Sequence, residues 1–119
     1  MKYMCLVHFE GGAFAALSHA QKAEIDRRSL AYDQELQSSG HYIHAEALRA
    51  PESAVLVKRR NGEISAADGP FAQAKEQLAG FILIEARDRN EAIRLAGGIP
   101  LAELGTIELR PVYEFSAPS

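Results

Sequence analysis

Apolar residues cluster along this chain in two different rhythms. Residues 2–9, Lys-Tyr-Met-Cys-Leu-Val-His-Phe, are apolar without alternation. That predicts a first strand covered on both faces, ended by Gly11-Gly12. A helical rhythm follows, with Ile25, Ser29, Tyr32 and Leu36 on one stripe and Glu24, Asp26, Arg27, Arg28, Asp33 and Glu35 mostly toward solvent. Ser18 and Gln21 have the spacing of a capping box at its start. Ser38-Ser39-Gly40 stops it, with Gly40 suited to a left-handed cap.

The strand rhythm then returns. Residues 41–48 predict a second strand, with Tyr42, His44, Glu46 and Leu48 pointing the same way at period two. Pro51 breaks it. Residues 54–60 and 63–67 flank Asn61-Gly62, a strong two-residue hairpin signal. Asp68-Gly69-Pro70 forms a corner, in which Gly69 is expected to need positive φ. Residues 78–86 predict a fifth strand, apolar on both faces from Phe81 to Ile84. Asp88, with Glu91 three places on, caps a second helix whose apolar face is Ala92, Ile93, Leu95 and Ala96. Gly97-Gly98 and Pro100 end that helix. Thr106–Phe115 is the last strand: Ile107, Leu109, Tyr113 and Phe115 share one face, with Glu108, Arg110 and Glu114 on the other. Ser116–Ser119 reads as a frayed tail.

This order, β-α-β, hairpin, β-α-β, predicts an α+β fold with both helices on one sheet face. Strands one and five are nonetheless apolar on both sides. A second copy packed sheet to sheet is the simplest cover for the other face, so a homodimer is expected.

Composition narrows the reading. At 119 residues the chain predicts one domain, and its net charge of −3 argues against a nucleic-acid binder. The lone Cys5 excludes an intrachain disulfide and reads as a buried thiol. No run approaches the ~20 apolar residues of a membrane span, and no signal peptide is visible. A cytoplasmic protein is expected.

The chemistry is sparser. Asp68 at its corner, Lys75, Glu76, Glu46, Arg110 and His8 are the candidates for one pocket near the dimer interface. Asp68 is as well explained by turn chemistry. Lys75 and Glu76 also read as a solvated pair, and Arg110 as a structural partner of Glu108, Glu46 or Glu85. The four histidines include no metal-binding spacing, so neither a metal nor a cofactor is expected.

Several of these residues carry a resemblance. Asp68-Gly69-Pro70-Phe71, Lys75-Glu76-Gln77-Leu78 and Gly80-Phe81 resemble the signature of the DGPF-domain proteins of the YCII-related family. Met1-Lys2-Tyr3-Met4, Gly40 with Glu46-Ala47-Leu48, and Ile107 to Val112 resemble its other recurrent pieces. The resemblance implies a ferredoxin-like sheet with two helices on one face, in a dimeric α/β-barrel type assembly. Some YCII-type relatives look like enzymes through a His in the first helix and an Asp near its end. Aligned on Gly40, those places hold Ser29 and Ser38 here, so that pair does not carry over, and catalysis stays open. Two functions remain: a small-molecule-binding protein or small enzyme, or a non-catalytic regulatory module. The second rests on similarity to domains found beside extracytoplasmic-function sigma factors.

Overall fold

In the computed structural model, which describes residues 1–115, two sheets form. The main sheet contains β1 (Lys2–Glu10), β2 (Tyr42–Ala47), β5 (Glu76–Glu85) and β6 (Thr106–Pro111), in the order β2-β5-β1-β6, every neighbour antiparallel. The second is a hairpin of β3 (Val55–Arg60) and β4 (Glu63–Asp68). Three helices accompany them: α1 (Gly11–Ala15), α2 (His19–Ser38) and α3 (Arg89–Gly97). The fold is therefore α+β, and the described residues stop short of the expected frayed tail, 116–119.

The helix ends follow their signals. The Ser18 hydroxyl accepts from the Gln21 amide at 3.1 Å, and the Gln21 side chain accepts the Ser18 amide at 2.8 Å. Gly40 takes φ +80°, and its amide and that of His41 bond back to Gln37 and Leu36. This pattern satisfies the last carbonyls of α2. Asp88 accepts from the Glu91 amide, while Glu91 accepts from Arg87 rather than Asp88, a box shifted by one residue. Asn61 and Gly62 both have positive φ, at 51° and 77°, as the tight hairpin requires.

The core lies on one sheet face. Tyr3, Cys5, Val7, Ile82 and Ile84 pack under Leu36 of α2 and Ala92, Leu95 and Ala96 of α3. Cys5 is fully enclosed, and burial pushes its thiol up to about 11, so it is inert packing. Ile93 faces out, 46% exposed, against the expected stripe. The short α1, unanticipated from Gly11-Gly12, swings Phe14 back against Phe9, ring centroids 5.1 Å apart.

Three strand expectations need correction. β2 bulges at Ile43, because Tyr42 pairs with Ile84 and His44 with Leu83. The extra residue turns Tyr42 toward the helices and leaves His44 and Glu46 on the opposite face. β6 ends at Pro111, so Tyr113 and Phe115 leave the sheet and meet edge to face at 5.1 Å. Gly69 has no positive φ; what constrains it is Leu56, since a methyl at Gly69 would come within 3.0 Å of that side chain.

The face opposite the helices carries Met4, Leu6, Phe81 and Leu83 in adjacent register, each half-buried. The β3–β4 hairpin stands off the main sheet. The radius of gyration is 16.6 Å, against about 13.5 Å for a compact chain of this length. No helix among the described residues is long and apolar enough to cross a membrane.

Candidate functional site

The six expected pocket residues do not converge in one chain. Asp68 ends β4 on the detached hairpin and is exposed. Glu46 and Arg110 stand on the two outer strands of the main sheet, with β5 and β1 between them. Glu46 lies 3.4 Å from His44, and exposed Arg110 makes no ion pair among the described residues. The corner and the sheet face are therefore separate surfaces within the chain. Sequence adjacency to β5 does not bring Asp68 to it, because seven residues (69–75) intervene before β5 begins.

The other three candidates do come together, at one end of the open face. His8 Nε2 is 3.1 Å from Glu108. Lys75 lies 3.7 Å from Glu10, and Glu76 accepts from the Thr106 hydroxyl at 3.2 Å. Register explains the grouping: Glu10 pairs with Glu76, and His8 with Leu78 and Thr106. The second oxygen of Glu76 is shut from solvent and has no hydrogen-bond partner among the described residues. The ion pairs here are mostly exposed and add little stability.

A large concavity lies elsewhere, between α2 and the helix-side face of β2 and β5. It encloses about 600 Å³, within the usual range for ligand sites. Its floor is made of Ala45, Ala47, Ala79 and Gly80. Such small side chains leave the space that Leu or Ile would fill. Gly80 has a further reason to be small: a methyl there would come within 2.8 Å of the Glu46 carbonyl on β2. Phe9, Phe14, Leu30 and Leu48 form the walls. Tyr32 closes the inner end, donating its hydroxyl to the Leu95 carbonyl at 2.6 Å.

Asp33 projects into this cleft beside Ser29, one helical turn away. Its placement toward solvent was the wrong expectation. Ser29 belongs to the inward stripe, and a residue four places on shares its face; that was the available signal. The Asp33 carboxylate has no hydrogen-bond partner among the described residues, and burial raises its pKa above the ordinary Asp range. His19 is exposed at the start of α2, and Ser38 bonds back to the Gln34 carbonyl, so neither reaches the cleft.

The raised acid fixes a sign. Asp33 is more easily ionised in the unfolded chain, so it subtracts stability as pH rises from about 3.9, the unfolded value, through its folded value. Asp33→Asn, similar in helix propensity, is expected to raise the melting temperature at pH 7. The gain should vanish below about pH 3, where Asp is neutral in both states. Equal melting temperatures of the two proteins at pH 7 would show that the carboxylate is not penalised there.

Comparisons with known proteins agree with this architecture. An uncharacterized protein of Rhizobium meliloti (strain 1021) is 29% identical over 114 residues, covering 94% of this chain and 92% of that protein. A family model described as the YCII-related domain matches residues 1–116, whose domains are of the dimeric α/β-barrel type. With nearly its whole length matched, the chain belongs to the YCII-related domain family.

Proposed function

We propose that this protein binds a small organic molecule in the cleft between α2 and the sheet. In this reading it works as a two-fold dimer of ferredoxin-like halves, packed through their open sheet faces. One observation carries the binding reading: an apolar cleft of about 600 Å³ holds a half-buried, unpartnered carboxylate, Asp33. A concave apolar site with one well-placed polar group is the usual form of a ligand pocket. A carboxyl raised by burial is also suited to exchanging a proton with a bound molecule. The pocket is thus moved from the Asp68 corner to the helix side of the sheet.

The test is to fill the cleft. Ser29→Leu replaces a poorer helix former with a better one and projects a branched side chain into the space beside Asp33. Small organic molecules are screened by their effect on thermal unfolding of the wild-type chain. Hits are expected to lose affinity by about tenfold or more in Ser29→Leu, the equivalent of ~1.4 kcal/mol, while the variant keeps its fold by circular dichroism. Hits that bind the folded variant unchanged would place the ligand outside the cleft.

A further inference from the structure

We infer that the molecule suited to this cleft is an amine with an apolar body, held as its ammonium ion. This rests on the binding reading above and adds the charge of the ligand. The carboxylates lining the cleft are Asp26 and Asp33, since the Glu46 side chain leaves β2 on the opposite face; no Lys, Arg or His among the described residues lines it. An anionic ligand would meet the Asp26 and Asp33 carboxylates, with no cationic residue in the lining beside them. A cation would meet Asp33 where that carboxylate lacks a partner, and an ion pair there offsets part of the cost of desolvating it.

The walls favour the same charge. Phe9 and Phe14 form a tilted pair at the cleft, and the Lys22 ammonium already sits 5.4 Å from the Phe14 ring centre. That ring therefore accepts a cation on one face, as aromatic faces do. The rest of the lining, from Ile25 and Leu30 to the alanine floor, is apolar and matches a hydrocarbon body. Size, charge and lining thus agree on one class of occupant.

The experiment compares three probes of matched length, hexylamine, hexanol and hexanoate, by isothermal titration on the full chain at neutral pH and low salt. Hexylamine should bind about tenfold or more tighter than hexanol, and hexanoate should bind most weakly. Asp33→Asn should remove the amine's advantage and leave hexanol unchanged. Added salt should weaken the amine alone. Hexanol or hexanoate binding as well as the amine, with Ser29→Leu blocking all three, would overturn the inferred charge and leave the cleft reading standing. An amine preference that survives Asp33→Asn overturns the role given to that carboxylate. Binding of none of the three, or binding indifferent to Ser29→Leu, counts against the cleft itself.

Discussion

Gly105→Ala is expected to be among the most damaging single-methyl changes this fold can suffer. Gly105 stands where the chain leaves its 3-10 turn (Pro100–Glu103) and enters β6. A methyl there would run into the His8 carbonyl oxygen and lie 2.8 Å from the Phe9 Cβ. The next residue, Thr106, pairs with His8 in the sheet, so β1 backbone cannot move aside without breaking that register. Forced overpacking of this kind costs about 3 kcal/mol or more when backbone has to shift. Domains this size have only ~5–15 kcal/mol in total, so a fall of about 10–20 °C in melting temperature is expected. Gly97→Ala is the control. It lies within α3, where nothing approaches an added methyl, and alanine favours helix. Thermal unfolding of the two variants decides the matter: a Gly105→Ala protein as stable as Gly97→Ala would mean that the β1–β6 junction has room to spare. The same junction carries Thr106 and Glu108, which reach Glu76 and His8.

These outcomes also explain which parts of the molecule could be read from residues alone. Helix ends were legible because a cap is local: Ser18, Gly40 and Asp88 each act on amides or carbonyls a few residues away. The Asn61-Gly62 turn was legible for the same reason. The bulge at Ile43 was not, because period two assumes that strands stay in step, and one extra residue reverses the face of everything before it. Val55 and Val57 predict a strand correctly, yet both are more than half exposed. A β-branched run shows that a segment pairs, not that anything covers it. The candidate site does not assemble within one chain for a related reason. Its six residues were joined through the Asp68 corner and one expected sheet face, whereas the structure puts Asp68 on a separate hairpin and Glu46 and Arg110 on opposite outer strands. Asp33 was hidden by its own polarity, since a helical stripe is read from apolar residues, and a cleft beside the stripe has no sequence signature.

The wild-type chain is expected to sediment as a dimer, at about twice the 13.0 kDa of one chain, and Leu6→Asp is expected to dissociate it. Both helices of consequence sit on the face of Tyr3, Cys5 and Val7. The other face leaves Met4, Leu6, Phe81 and Leu83 side by side across β1 and β5, only half covered. Full burial of such a side chain contributes roughly 1.5–3 kcal/mol, so covering what remains of four of them is worth ~3–6 kcal/mol per chain. The hairpin adds to the uncovered apolar surface, with Val55, Val57 and Ile64 on one of its faces at 57%, 67% and 65% exposure. Contiguous apolar area of this kind is uncommon on monomers. Sheet-on-sheet packing about a two-fold axis would bury the same row on each copy. Leu6 lies between Phe81 and Glu108 at the centre of that face. An aspartate there would place two carboxylates near the axis in a dry interface, costing several kcal/mol, or two or more powers of ten in dissociation constant. Ile93→Asp, on the outer side of α3, should leave the assembly intact. Analytical ultracentrifugation across a micromolar dilution series reads all three proteins. A wild-type chain that stays folded and sediments as a single copy would refute the sheet-packed dimer, whatever Leu6→Asp does.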